Sequence, residues 1–338
     1  YPVLDGTLNV YANAYEDSIQ ALRGTFKRLE LNVIGKYFIR FTDKIVAQRV
    51  FELWDVNGDG GITRDEADLI TSIPRYFLSG DKNENYKNIT SLVGFESLSN
   101  CTEIGYGAFE NTTAVFPPNL KQIYQRAFMG TKIKKVNLPD SCTFLSSGGG
   151  SDYMPFYNCS ELEEFTMKDF IIPPERHYTV NKGFSDCPKL KRFRCNSFEY
   201  GYDSIATSFT LLSFSNCVSL EECDFGELKG YVNSMSYGMF ENTPIAASCV
   251  PVNIIKSASQ SYNNCTKLRV VVFEGNLDVL GLRMFFGCNS VTVIFKSMTP
   301  PTTLEYGGLS NVVAIYVPDT AVSDYKSSVI SGYASIIF

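Results

Sequence analysis

The sequence predicts a mainly β fold, a solenoid of short strand-rich coils preceded by a small α-helical segment. Three observations carry that prediction. A skeleton F-x-x-C-x-x-L-x-x-F-x-M, read over Phe156, Cys159, Leu162, Phe165 and Met167, recurs through the second half of the chain. Its anchors at 156, 184, 214, 240, 262, 285 and 309 are 28, 30, 26, 22, 23 and 24 residues apart, a period that marks stacked repeats. Ahead of the repeats, between two stretches of helical apolar spacing, oxygen-bearing side chains are set at regular intervals over 55–66.

The repeat comes first because the rest leans on it. Phe184, Cys187, Leu190, Phe193 and Cys195 form one copy; Phe214, Cys217, Leu220, Cys223 and Phe225 form the next. Tyr262, Cys265, Leu268, Val271 and Phe273 follow, then Phe285, Cys288, Val291 and Ile294. Phe128 and Phe240 head copies with Thr131 and Thr243 in place of Cys and a spacing one residue shorter to Ile133 and Ile245. Leu309, Val312, Ile315 and Val317 are a worn last copy. The L-x-x-L-x-L core predicts a leucine-rich-repeat solenoid. No coil buries its apolar face alone, so stability comes from the interfaces between neighbours. The Cys position needs a small apolar group, and a free thiol behaves as one. Thr there in two copies argues for space filling, so most of the ten cysteines are expected to be free and buried.

Residues 1–42 are expected to cap the solenoid, with helical spacing at Ile19, Leu22, Phe26 and Leu29 and a strand-like run from Leu31 to Phe41. In 43–74, Ile45, Val46, Val50, Phe51 and Trp54 line an entering helix, and Ala67, Leu69 and Ile70 an exiting one stopped by Pro74. Between them Asp55, Asn57, Asp59, Gly61, Thr63 and Glu66 occupy the ligand positions of a twelve-residue EF-hand loop. Calcium is a hard cation that takes six to eight oxygens; Glu66 offers two, Gly61 its carbonyl, and Gly60 allows the sharp turn. The competing reading is that Thr63-x-x-Glu66 is only a helix capping box. A second loop begins at Asp81-x-Asn83-x-Asn85 but has Tyr86 for glycine and Leu92 for the last glutamate, so one structural ion is expected rather than a switch.

Residues 75–94 read as a connector, 95–318 as the solenoid and 319–338 as a C-terminal cap of one helix and a closing strand at Ile336–Phe338. Ile104, Ile123, Met235 and Leu280 stand five residues before an anchor and predict a second short strand in each coil. Pro139, Pro251 and Pro318 should end strand pairing, since proline has no N–H. Three overlong coils carry insertions at Ser146–Tyr153, Pro173–Tyr178 and Ser197–Ser204 in nearly one phase. Insertions on repeats often fall on the binding face, so Tyr153, His177, Tyr178, Tyr200 and Tyr202 are candidate ligand contacts, against the plainer reading of tolerated surface drift.

Composition narrows the function. A net charge of −6 without any basic cluster argues against nucleic acid, and no apolar run approaches the ~18 residues of a membrane span. The chain opens on Tyr1, as a processed form would, so the missing signal segment says nothing of location. A single histidine, His177, gives little scope for acid–base chemistry, and no nucleophile, zinc or phosphate-loop motif is present. Glu163-Glu164 and Glu221-Glu222 are adjacent, hence on opposite sides of a strand, and cannot flank one glycosidic bond. No enzyme is expected.

The order Ile39-x-Phe41-x-Asp43, entering helix, Trp54 and its loop, Glu66-Ala67, Ile89-x-Ser-x-x-Gly-Phe95 and Ile104-Gly-x-x-Ala-Phe109 resembles the BspA-type leucine-rich-repeat surface proteins of the Bacteroidetes. The ending Pro300-Pro301, Ile315-Tyr-Val-Pro318-Asp, Val322 and Tyr325-Lys326 is similar to theirs. The resemblance covers roughly 39–338. It implies an extracellular or outer-surface protein, often lipid-anchored, that adheres to or binds an extracellular protein or glycan as a monomer, without catalysis. The alternative is a structural or docking module of a larger extracellular glycan-handling assembly.

Overall fold

The computed structural model describes residues 6–10, 14–15, 29–33, 37–78, 89, 91–109, 116–145, 154–172, 183–200, 209–230 and 232–338. It is a solenoid in which every described strand pairs in parallel with its neighbours in the next coils. From Lys135 on, coils contribute a longer strand and, in several of them, a short one some nine residues on, as Phe144 follows Lys135 and Val279 follows Val270.

The short strands Ser72–Ile73, Glu103–Ile104, Gln122–Ile123 and Phe144–Leu145 form one continuous ladder. Thr303–Leu304 and Val279–Leu280 pair further along, and single bridges at Lys256 link Val279 to Ser234. Ile104, Ile123, Met235 and Leu280 are all fully buried at these rungs, as their spacing predicts. The long strands make two sheets. Lys135–Asn137, Glu164–Ile172, Arg192–Tyr200 and Glu222–Asp224 pair in series, as do Ala247–Val250, Val270–Phe273, Val291–Phe295 and Val312–Tyr316. Strands end at Asn137, Val250 and Tyr316, just ahead of the prolines. Between Asp224 and Ala247 the long-strand ladder is interrupted, against the expectation of unbroken pairing through the solenoid.

The anchors build the core. Rings of Phe109, Phe128, Phe156, Phe184, Phe214, Phe240, Tyr262 and Phe285 stack in one column, with centroids 5.2–6.2 Å apart and planes within 20° of parallel. Phe165 over Phe193 and Phe170 over Phe198 make shorter columns beside it. Stacked pairs of this kind add about 0.5–1.5 kcal/mol each beyond the burial of their area. Five cysteine thiols stand beside the column, and each donates to the anchor carbonyl one coil back: Cys159 to Phe128, Cys187 to Phe156, Cys217 to Phe184, Cys265 to Phe240 and Cys288 to Tyr262, at 2.9–3.3 Å. All ten cysteines are free thiols. The position therefore does more than fill space, and Thr243 keeps part of it by donating to its own anchor carbonyl, Phe240 O, at 2.8 Å.

The N-terminal end differs from expectation. Gly6–Val10 pairs with Leu29–Val33 and Ala14–Tyr15 with Tyr37–Phe38, partners 23 residues apart, which is the spacing of a coil and its short strand. The N-terminal segment thus repeats the solenoid pattern. Leu29 opens a strand instead of closing a helix, and Ile19, Leu22 and Phe26 lie outside the described residues. Residues placed in the connector belong to the core: Phe77, Leu78, Ile89 and Leu92 are buried, and Ser72–Ile73 already joins the short-strand ladder. The exiting helix is only Arg64–Asp68, leaving Leu69 exposed, because the chain must turn at once into that ladder. At the C-terminus the helix is Val322–Lys326, and the chain closes on the last long strand through the Ile337–Ile315 bridge, with Phe338 N donating to Ile315 O at 2.9 Å and Val317 N to Phe338 O at 3.1 Å. Tyr325, fully buried, donates to Ser297 O and Thr299 O and locks the cap to the last coils.

Candidate functional site

The loop 55–66 is held by helices α1 (Lys44–Trp54) and α2 (Arg64–Asp68). Asp43 caps α1, its carboxylate accepting from Ile45 N and Val46 N; Val46 and Val50 turn inward. Trp54 meets Phe77 at 5.3 Å, so the end of α1 rests on the first coil. Gly60 has φ +84°, the left-handed turn its place in the loop requires. Gly61 lies against the Phe38 ring with no room for a Cβ. Ile62 O accepts from Ile39 N at 2.7 Å, and Phe38 bridges Thr63. The loop is therefore braced by a β contact from Phe38 and Ile39, which precede α1.

Carboxylate oxygens of Asp55, Asp59 and Glu66 all lie within 4.8 Å of one another. Asp55 accepts from the amides of Gly58, Asp59 and Gly60, and Asn57 Oδ1 accepts from Asp59 N. Glu66 is buried; Oε1 takes Val56 N and Asn57 Nδ2, while Oε2 takes Thr63 N and Thr63 Oγ1. The capping box is present in full. It engages one Glu66 oxygen, while the other takes Val56 N and Asn57 Nδ2, so both oxygens accept from the loop's own donors.

The expected ligand edge is described only in part. Tyr153, His177, Tyr178 and Tyr202 lie outside the described residues, as does the side chain of Tyr200. Ser197–Tyr200 is not insertion but the end of a nine-residue strand, with Phe198 fully buried. The points of departure can be placed. Ile172 and Tyr200 are register partners, and Ile171 N donates to Thr143 O beside Phe144–Leu145. Segments 173–182 and 201–208 thus leave from register-paired strand ends, and 146–153 leaves from the last short strand, beside which Thr143 O receives Ile171 N.

The paired glutamates are stabilising surface groups, as their adjacency suggests. Glu164 pairs with Lys135 and Arg192, Glu163 with Lys191, and Glu222 with Arg194 through two of its nitrogens. Two features escaped the sequence reading. Asn158, Asp186, Asn216, Asn242, Asn264 and Asn311, two residues after each anchor, all have φ between +55° and +65°, a region asparagine tolerates. From Asp186 to Asn264 their side chains form a hydrogen-bonded ladder at 2.7–3.1 Å. Gly287 ends it, since a Cβ there would meet Asn264 Oδ1 at 2.0 Å. The recurrence of Asn, Asp or Gly at that position was the available signal. The other is an exposed aromatic row, Tyr237, Phe286 and Tyr306, in turns linked by Gly238 N to Ser259 O, Gln260 N to Leu282 O and Arg283 N to Tyr306 O.

A family profile described as BspA type leucine rich repeat region matches six copies over residues 82–200 and 181–303. The chain belongs to this family. Among solved structures similar to this BspA-type chain is a leucine-rich repeat protein from Bacteroides ovatus, 17% identical, with a TM-score of 0.40, covering 74% of this chain. The chain spans 59% of that protein's length. A leucine rich cell surface protein from Faecalibacterium prausnitzii is 13% identical (TM-score 0.31; 65% of this chain, 80% of that one). The pneumococcal vaccine antigen PcpA is also 13% identical (TM-score 0.26; 71% and 75%). No curated protein matches the chain. Among the described residues, no helix of this BspA-type protein is long and apolar enough to cross a membrane.

Proposed function

We propose that this is a non-enzymatic surface or secreted protein that binds an extracellular protein or glycan, its N-terminal loop held by one calcium ion. The BspA-type family and the cell-surface description of the Faecalibacterium protein support the location. The observation that carries the binding reading is that segments 173–182 and 201–208 leave from register-paired strand ends, with 146–153 leaving from the short strand beside them. Loops on a fixed scaffold are where recognition residues concentrate. The contacts would be Tyr153, His177, Tyr178, Tyr200 and Tyr202, whose rings give large rigid area with a polar tip. A glycan and matrix-protein array probed with the wild-type chain and with Tyr200→Ala/Tyr202→Ala tests it. Loss of the array signals with unchanged melting supports the insertion edge. Loss instead in Tyr237→Ala/Tyr306→Ala moves the site to the exposed aromatic row.

Calcium would be held by Asp55, Asn57 and Asp59 side chains, the Gly61 carbonyl and both Glu66 oxygens, with Thr63 direct or through water. The fit rests on the convergence of three carboxylates and on the turn at Gly60. The ion would neutralise those carboxylates and fix α1 against the first coil. At 100 times its dissociation constant it would add about 2.7 kcal/mol to stability. Titration calorimetry on chelator-stripped protein should show one site that Glu66→Gln weakens; no heat in the wild type refutes the assignment.

A further inference from the structure

The interruption between Glu222–Asp224 and Ala247–Val250 is confined to one side of the coil. On the other sides the same two coils are joined normally: Phe214 N donates to Met239 O at 2.7 Å, Asn216 N to Glu241 O at 2.9 Å, and Leu211 N to Ser234 O at 3.0 Å. The anchor rings Phe214 and Phe240 remain stacked. The coils therefore part like a hinge along the long-strand face alone. The break falls where 28- and 30-residue coils give way to the 22- and 23-residue ones.

Parallel pairing uses alternate residues on each side of a strand. Ala246 O and Val250 O face the following strand, receiving Arg269 N and Glu274 N. Ala247 and Cys249 consequently turn their peptide groups toward the break. On the other lip Glu222 N bonds back to Lys191 O, which turns the peptide group of Cys223 toward the break, while Phe225 O takes the Cys195 thiol behind it. Two strand edges face each other without a rung between them.

The space between is a cavity of about 290 Å³. Phe225, Met235, Met239, Phe240 and Tyr262 give it an apolar floor, with Tyr262 Oη and Ser248 Oγ hydrogen-bonded at 2.7 Å. Glu221 and Asp224 stand exposed on the rim.

We propose that this cleft binds an extended peptide segment of a partner protein, which enters as the missing rung and pairs with both edges. Size separates the occupants. A helix is ~10 Å across with side chains, and two turns would far exceed the cavity; a single strand with one large apolar side chain directed at the floor fits. Edge pairing supplies affinity through the main chain, and the floor supplies selectivity. The rim favours basic residues flanking the apolar one. The opposite edge of the same strand already shows the complement: Arg194 holds Glu222 with Nε at 2.9 Å and Nη2 at 2.6 Å. This site is separate from the insertion edge and from the calcium loop and depends on neither.

The probe follows from that complement: acetyl-Lys-Arg-Phe-Arg-Val-Asn-amide, the sequence of 191–196 with valine for the thiol. Calorimetry should give one saturable site on the intact chain. Hydrogen exchange should slow at the amides of Cys223, Ala247 and Cys249, and not at Val271 or Val293. Methylating alternate peptide nitrogens of the probe should weaken binding at least tenfold. Glu221→Gln/Asp224→Asn, which alters only exposed side chains, should weaken it at least threefold. No binding at 1 mM on the order of the weakest useful affinity, protection elsewhere on the chain, or equal affinity of the methylated probe would each overturn the proposal, the last by showing that the cavity takes a side chain without strand pairing.

Discussion

Phe184→Ala tests the stacked column at its most crowded point. Phe184 is fully buried, near-parallel to Phe156 and Phe214 at 6.2 and 5.6 Å and edge-on to Phe165 and Phe193 at 4.5 and 5.2 Å. Removing a buried phenyl ring costs about 3–5 kcal/mol when the surroundings cannot collapse. Here they cannot, because its neighbours are held by ladder bonds such as Phe184 N to Ser213 O and Asp186 N to Ser215 O. Four ring contacts are lost together, so the upper part of that range is expected. In a solenoid the loss falls on the interfaces with adjacent coils. Urea unfolding followed by circular dichroism should therefore show a lower midpoint and a broadened or split transition, as the coils before and after 184 uncouple. The proposed calcium binding should not change, since Phe184 is remote from the loop 55–66 in the stack. A destabilisation below ~1 kcal/mol with one sharp transition would refute the column as the source of cohesion.

The asparagine ladder gives an ordered series at Asn216, whose φ is +63°. Asn216→Gly should cost about 1 kcal/mol through two lost exposed hydrogen bonds, Asn216→Ala more, and Asn216→Val most, because a left-handed backbone penalises a branched Cβ; equal melting shifts for Gly and Val would dismiss the backbone argument. The thiols make a pH prediction. Burial pushes Cys142, Cys195 and Cys217 from an ordinary 9.0 up to about 12 and Cys265 to about 11. The unfolded chain releases these protons first, so stability is full below pH 9 and declines as pH rises toward 12. Denaturation at pH 8 and pH 10 checks the sign. At pH 8 a thiol reagent should label Cys249, the exposed cysteine, in folded protein and all ten only after unfolding.

The coil was legible because its core residues are chemically distinctive and recur in phase. Phe at the anchor, Cys three on and an aliphatic five before it each report a different wall of the same small space, and all are buried as the period requires. Where the sequence lost its grip, the information sat in main chain rather than side chain. Gly6–Val10 and Leu29–Val33 pair one coil apart without an aromatic anchor to mark them. Ser197–Tyr200 reads as polar insertion by its Ser, Glu and Tyr, yet it continues a strand because Phe198 can stack on Phe170 at 4.7 Å. The turn of the loop 55–66 is readable for the opposite reason: Asp55 accepting from Gly58, Asp59 and Gly60, and the positive φ of Gly60, are specified within a few residues of sequence. The β contact from Ile39 to Ile62 that braces it was not readable, since it joins residues through backbone atoms alone.

The interrupted ladder shows how coil length itself becomes a structural variable. In the wide coils the long strands are nine residues, Glu164–Ile172 and Arg192–Tyr200, and the next coil keeps the same footprint only by splitting into Glu222–Asp224 and Glu227–Gly230 with a turn at Gly226. A Cβ at Gly226 would meet Asn196 O at 2.1 Å, so that coil is pressed tightly onto the wide one behind it. The following coil is shorter and runs straight from Ala247 to Val250 before Pro251 turns it away. Glu227–Gly230 pairs backward to Ser197–Tyr200 and, among the described residues, has no strand partner ahead; Asn253 reaches it with a side chain instead, donating to Leu228 O at 3.1 Å. A step in coil length must leave peptide groups unpaired on the face where the path shortens. The anchor column is indifferent to that step, because each ring needs only the ring above and below, and this is why Phe214 and Phe240 stay stacked while the strands in front of them separate.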